Sequence, residues 1–392
     1  MNEVILKKGK ERSLFRYHPW IFSGAIASTT PGMNEGEVVK VYDHERRFLA
    51  TGHYQARSIA VRVLSFEEEE IDHAFWTKRV ERAYRARVAV GLARADDTNL
   101  YRLIHGEGDG LPGLIVDFYA GVAVVQFHST GMYLSRAAIT RALVEVLGDQ
   151  LIAVYDKSES ILPSKAGLYQ GNGYLHGNAG SFVVLENGLS FNVDWVEGQK
   201  TGFFMDQREN RVLLERYARG KHVLNMFCYT GGFSCYAMRG GADQVHSVDV
   251  SAKAVELTNE NVALNFPNDD RHEAFVEDAF RFLEHSRDVY DLIVLDPPAF
   301  AKHQNVLENA IQGYKKLNRK GIEAIRSGGL IFTFSCSQVM TKELFRQTVF
   351  TAAANTGREV KILHQLTQPA DHPVSIYHPE GEYLKGLVLY VE

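Results

Sequence analysis

From about residue 195 to the end of the chain, short apolar runs alternate with helix-like stretches at the spacing of β-α-β units, and this constrains the fold more than any other feature. Parallel strands joined by crossover helices are covered on both faces, so each strand reads as a nearly continuous apolar run. The runs fall at 222–227, 244–248, 273–276, 291–295 and 330–335, with a last pair near 359–363 and 387–391. Helices are expected to begin near Asp206, Gly232, Ser251, Leu307 and Thr341. In an open α/β sheet ligands bind beyond the carboxyl ends of the strands, so chemistry is to be sought in the residues that follow each run.

A chain of 392 residues exceeds one ordinary core, and the remainder divides by pattern. Residues 1–70 hold short β-type runs separated by Gly, Pro and Asn turns, as in a small β-rich module, and Glu67 to Glu70 reads as a solvated linker. Residues 71–194 read as a central α+β domain. It opens on a helix with Trp76, Val80, Ala83, Tyr84 and Val88 on one face, and continues through strands at 114–117 and 122–127, a helix over 133–147, and strands at 151–155, 182–185 and 189–193. Residues 195–392 form the α/β domain.

Apolar residues at 45% and charged residues at 23% fit a soluble globular protein. No run of 18 apolar residues occurs and the first ten residues lack a signal-peptide core, so a cytoplasmic location and no membrane partner are expected. Cys228, Cys235 and Cys336 form no CxxC pair; thiols are expected rather than disulfides, and no metal. The net charge of −5 does not by itself point to nucleic acid. Positive charge is local: residues 1–66 carry ten Lys or Arg against six Asp or Glu, and 78–94 carry six against Glu81 alone. Either patch suits RNA contact or a solvated face.

The first strand of the α/β domain runs into Phe227-Cys228-Tyr229-Thr230-Gly231-Gly232-Phe233, a glycine turn at which the backbone can approach a ligand. The spacing departs from the three-glycine dinucleotide fingerprint. Asp249, 18 residues after Gly231, ends the second strand, where a carboxylate can accept ribose hydroxyls. Asp278 follows the third, either accepting from an adenine amino group or capping the helix that starts at Ala279. Carboxylates around a two-glycine turn suit S-adenosylmethionine (SAM), which has no phosphate and carries a sulfonium, better than NAD. Upstream, the polar segment from Glu197 to Arg208 adds Thr201 and Asp206 as candidate cofactor contacts, or as a loop capped by Asp206.

The fourth strand ends in Asp296-Pro297-Pro298-Ala299-Phe300. Two prolines fix the backbone and remove two N–H donors, leaving carbonyls and the Asp296 carboxylate to receive the amino group of a base. Phe300 either stacks on that base or packs the loop. The fifth strand ends at Ser335-Cys336-Ser337, which places Cys336 at a ligand-facing strand end, whereas Cys228 and Cys235 read as small buried hydrophobes. Pyrimidine C5 becomes nucleophilic once a thiolate adds to C6, and that is the chemistry expected of Cys336.

With these residues in place, the chain resembles the bacterial 23S rRNA (cytosine-5) methyltransferases of the rRNA large subunit methyltransferase I type over nearly its whole length. The resemblance rests on Gly9-Lys10-Glu11-Arg12 with His18-Pro19-Trp20 to Ile26, on Tyr101 to Asp117, on the Phe227–Phe233 turn, and on the Asp296 and Cys336 strand ends. It implies an N-terminal PUA RNA-binding domain, a central α+β domain and a Rossmann-type class I SAM methyltransferase domain. It implies 23S ribosomal RNA or a large-subunit precursor as partner, and leaves a homodimer open. It also implies that Cys336 adds to C6 of an unstacked cytosine while Asp296 holds the N3 and N4 edge. Pro298 stands where many cytosine-5 RNA methyltransferases have a second cysteine, so a water or Asp296 is expected to assist release. Two other readings compete: methylation of a guanine nitrogen, which needs no thiol, and a non-catalytic RNA-binding assembly factor.

Overall fold

The computed structural model describes residues 2–162, 171–180, 182–301, 303 and 306–392. Two compact units emerge. The first comprises residues 1–184, 193–203 and 370–381, the second 185–192, 204–369 and 382–392.

In the first unit a six-stranded sheet built from Asn2–Leu6 through Ile59–Ser65 encloses a small core of Val4, Leu6, Val39, Val41, Val61 and Val63. A five-stranded sheet follows, its strands lying between Leu100–His105 and Gly173–His176 and covered by the helices His73–Ala89 and Arg136–Leu147. Leu64 of the N-terminal sheet belongs to the core of this second layer, and residues 1–70 and 71–184 fall in one unit, while 185–192 belong to the other. The helix at 73–89 buries Trp76, Val80, Ala83 and Tyr84 as its spacing requires, but Val88 is exposed. In its place Arg87 turns inward and forks onto Asp109 at 2.5 and 2.8 Å.

That substitution of a cation for an apolar residue has a cause in residues 370–381. Asp371 offers its backbone oxygen to Arg87 at 2.8 Å and its carboxylate to the backbone N–H of Arg102 at 3.0 Å, while Arg102 forks onto Asp117 at 2.7 and 2.8 Å. A Cβ at Gly108 would lie 1.9 Å from the Pro373 oxygen, so only glycine lets this segment seat. The signature from Tyr101 to Asp117 is thus in large part a docking frame for a segment 270 residues downstream, a relation invisible to local pattern.

The second unit carries a seven-stranded sheet, with elements numbered within this unit. They are α1 (Arg208–Tyr217), β1 (His222–Met226), α2 (Gly232–Arg239), β2 (Gln244–Asp249), α3 (Ala252–Asn265), β3 (His272–Val276), α4 (Ala279–Glu284), β4 (Leu292–Leu295), α5 (Leu307–Ala324), β5 (Gly329–Ser335), α6 (Lys342–Ala354), β6 (Val360–Leu366) and β7 (Lys385–Val391). The sheet order is β3-β2-β1-β4-β5-β7-β6. The first five strands are parallel, as their apolar runs require, but β7 runs antiparallel to β5, and β6 antiparallel to β7. The order reverses at β1/β4, the switch point at which such sheets open a crevice.

Candidate active site

The turn after β1 is held by its neighbours. Phe227, Tyr229 and Gly231 all have positive φ, 59°, 46° and 73°, a conformation unfavourable for the two aromatic residues. The surroundings over-determine it: Thr258 of α3 donates to the Tyr229 oxygen at 2.9 Å, and Asn261 to the Thr230 oxygen at 2.9 Å. A Cβ on Gly231 would meet Thr258 Cγ2 at 2.7 Å, and one on Gly232 would meet Arg211 Cδ at 3.1 Å. The immediate demand for both glycines therefore comes from packing within the unit, not from a ligand alone.

Asp249, at the end of β2, accepts the backbone N–H groups of Tyr229 and Ser251 at 3.2 and 2.9 Å. Each carboxylate oxygen keeps a second lone pair, and the residue is half-buried, so hydroxyls can still be received. Asp278 is exposed and caps α4 by accepting from Arg281 N at 3.0 Å, the capping alternative of the sequence reading. Asp206 does not cap α1; its carboxylate takes the Tyr383 hydroxyl at 2.8 Å. Thr201 falls in the first unit, buried, where its hydroxyl donates to Asp117 at 2.6 Å and meets the Tyr119 hydroxyl at 3.0 Å.

Asp296 follows β4. It is partly exposed, yet deep enough among protein atoms that desolvation, helped by the nearby Asp206 charge, raises its carboxyl to about 7. Gln207 opposes the shift by donating to Oδ2 at 3.0 Å, and is itself fixed by Asn210 at 2.6 Å. The Asp206 and Asp296 carboxylates together make a place that favours either a proton or a positively charged ligand, which fits a sulfonium cofactor. Pro297 is buried and Pro298 exposed. Phe300 packs its ring 4.6 Å from that of Tyr314 and against Gly313, the loop-packing alternative.

Cys336 directly follows β5 and is half-buried, whereas Cys228 and Cys235 are buried and their thiols are pushed up to about 12 by desolvation. Ser337 Oγ accepts from Ala301 N at 3.3 Å and meets the Tyr314 hydroxyl at 3.1 Å, which ties the corner after Asp296 to the turn that carries Cys336. The sequence reading missed the support beneath this site. Glu186, fully buried, receives a fork from Arg211 at 2.9 and 2.8 Å and the Tyr236 hydroxyl at 3.0 Å. No motif marks Glu186, since it lies outside the β-α-β pattern. Gln207 was within the polar segment and could have been weighed with Asp206.

Among the described residues one cluster of metal-ligating types occurs, His18, His378 and Glu380 in the first unit. Both Nε2 atoms face the exposed Glu380 carboxylate, at 3.5 and 3.8 Å. Of the basic stretch 78–94, Arg87 is buried against Asp109 and Arg79 is half-buried on the Leu64 oxygen, while Lys78, Arg82, Arg85 and Arg94 are exposed, Lys78 and Arg85 lying within ion-pair distance of Glu69 and Glu81. No helix among the described residues is long and apolar enough to cross a membrane.

A sheet order that reverses at β1/β4, carboxylates at the ends of β2 and β4, and a glycine turn without the three-glycine fingerprint are the features of an S-adenosylmethionine-dependent methyltransferase. The family model for that class matches residues 101–377, and one for a PUA-like domain matches 4–66. Curated relatives named ribosomal RNA large subunit methyltransferase I are 43% identical in Shewanella frigidimarina, 42% in Alteromonas mediterranea and 40% in Escherichia coli, each covering 99% of this chain and 98–99% of its own length. A Streptococcus mutans structure assigned as a SAM-dependent methyltransferase is 26% identical, with a TM-score of 0.85 and full coverage of both chains. A methyltransferase-assigned structure complexed with SAH is 26% identical with a TM-score of 0.86, again with full coverage. The chain belongs to the ribosomal RNA large subunit methyltransferase I family, and its cofactor is SAM.

Proposed function

We propose that this chain forms 5-methylcytosine in 23S ribosomal RNA, in the cytoplasm, with Cys336 as the attacking nucleophile. The observation that carries the reading is the half-buried thiol at the end of β5, one strand from the carboxyl group at the end of β4. The name shared by the curated relatives supplies the substrate class, and the PUA-like match supports RNA contact.

Phe227, Tyr229, Thr230, Gly231 and Gly232 form the wall against which SAM would lie, Asp249 would receive its ribose hydroxyls, and Asp278 would bound the adenine end through its second oxygen. Asp206 would hold the Tyr383 ring and add negative charge. When bound, SAM supplies an electrophilic methyl group. The residues do the rest. The Cys336 sulfur forms a bond to C6 of an unstacked cytosine, and electron density moves through the ring toward N3. Asp296, protonated near neutrality, gives its proton to N3, which neutralises the developing charge and leaves C5 enamine-like. After C5 is methylated, its hydrogen leaves as a proton to the ionised Asp296 or to water, the C6–S bond breaks to return the thiolate, and N3 releases its added proton to solvent. Pro297 and Pro298 hold the corner open, and Phe300, through Tyr314, fixes its outer wall.

RNA carrying 5-fluorocytosine tests the scheme. With fluorine at C5 there is no proton to lose, so a stable protein–RNA adduct through Cys336 is expected by mass spectrometry. Absence of an adduct together with methylated guanine in the product would replace this reading by the guanine-nitrogen one.

A further inference from the structure

The mechanism above leaves one buried cation unused. Lys385 opens β7, pairs with Ser335 across the antiparallel β5/β7 ladder, and is 4% exposed. Its ammonium donates to the carbonyl oxygens of Ser337 and Tyr383, both at 2.6 Å. Ser335 and Ser337 flank Cys336, so the charge sits against the turn that carries the thiol.

A lysine is a costly way to hold a turn. Two carbonyl dipoles replace only part of the water lost by an ammonium, and a buried cation without a counter-ion is strongly disfavoured. A neutral amide could have satisfied the same carbonyls. What the charge adds is a field at the turn that carries the ionisable Cys336 sulfur. Burial pushes Lys385 down to about 8, and negative charge on Cys336 works against that fall. Among the described residues, the other groups acting on Lys385 do not offset its charge. Lys342 and Glu382 pair with each other at 2.8 Å and act on Lys385 in opposite directions. Tyr314, on the far side of Ser337, is kept neutral by its burial.

We propose that Lys385 is a positioning residue for Cys336: its ammonium anchors the 335–337 turn and keeps negative charge on the Cys336 sulfur at neutral pH. The thiol proton leaves to solvent and the ammonium retains its own. The proposal rests on the reading of Cys336 as the nucleophile, but its test needs no RNA.

The rate of Cys336 alkylation by iodoacetamide is followed against pH in the full-length protein, with the modified cysteine identified by peptide mass spectrometry. In the wild type the thiolate should form below the ordinary cysteine midpoint of about 8.5. In Lys385→Met the curve should move up by about one unit or more, a tenfold slower reaction at pH 7, and Lys385→Arg should restore most of it. SAM affinity, measured in parallel, should stay within about threefold, since Lys385 touches no proposed cofactor residue. Identical pH profiles in wild type and Lys385→Met would overturn the proposal. If Lys385→Met does not fold, a wild-type midpoint at or above 8.5 overturns it equally, and a lower midpoint restored in Lys385→Arg supports it. A lowered midpoint combined with normal turnover in Cys336→Ala would sink the nucleophile reading and leave this one standing.

Discussion

Gln207 donates its side-chain N–H to Asp296 Oδ2 at 3.0 Å and so draws down a carboxyl that burial still holds at about 7. Replacing Gln207 with Leu removes a donor to the ionised form and should raise Asp296 further. If protonated Asp296 is the active form, the alkaline limb of the kcat/KM profile should move to higher pH by about half a unit to one unit. A limb that stays in place would detach Asp296 from the rate.

Asp296→Asn gives a stability signature whose sign can be worked out. The folded-state value lies above the unfolded one, so folding favours the protonated form, and this contribution is present below about pH 4 and lost as pH rises to about 7. The variant has no such loss. Its stability relative to wild type should therefore grow between pH 4 and 7, to at most about 4 kcal/mol for three pKa units and less because the group is partly exposed. Urea unfolding at pH 4.5 and pH 8 measures the difference. Methyl transfer by the same variant should fall by roughly 10²-fold or more.

Cys336→Ala should abolish transfer while SAM affinity changes little, because Cys336 follows β5 whereas the proposed cofactor wall follows β1 and ends β2. Isothermal titration with SAM beside a single-turnover assay checks both halves. Turnover within a few-fold of wild type would end the covalent scheme.

Gly231→Ala should lower stability by roughly 1–3 kcal/mol, through its φ of 73° and the 2.7 Å approach of the new Cβ to Thr258. Thr258→Ser removes the crowding methyl while keeping the hydroxyl that serves the Tyr229 oxygen, so the double variant should recover part of the loss in a thermal melt.

Glu186→Ala strands the buried Arg211 guanidinium, and removing one partner of such a pair costs about 3–5 kcal/mol. Arg208 also faces the Glu186 carboxylate, at 3.4 Å, so replacing Glu186, Arg211 and Arg208 together by Met should cost clearly less than the single change. Equal losses in chemical denaturation would mean that the pair contributes through packing alone.

What was legible in the sequence was whatever repeats at short range. The β1–β5 runs are continuously apolar because both faces are covered, and their ends bring Asp249, Asp296 and Cys336 to one edge of the sheet. The antiparallel turn of β7 was not legible, because an apolar run carries no direction. Phe300 stayed undecided until Tyr314, fourteen residues on, supplied a ring to pack against. Arg87 and Thr201 look like surface or ligand residues in sequence; Asp109 and Asp117, whose positions depend on tertiary structure, are what draw them inward. Lys385 could not be read at all, since it opens an apolar strand and its meaning comes from the neighbouring Ser337 oxygen.

The backbone passes between the two units five times, and the last stretch of the first unit is residues 370–381. During synthesis, then, the Arg102 N–H and the Arg87 guanidinium wait for the acceptors on Asp371, which is made 269 residues after Arg102. Neither half can mature as an autonomous piece, and a split gene or a single proteolytic cut would yield two incomplete partners instead of an RNA-binding part and an enzyme.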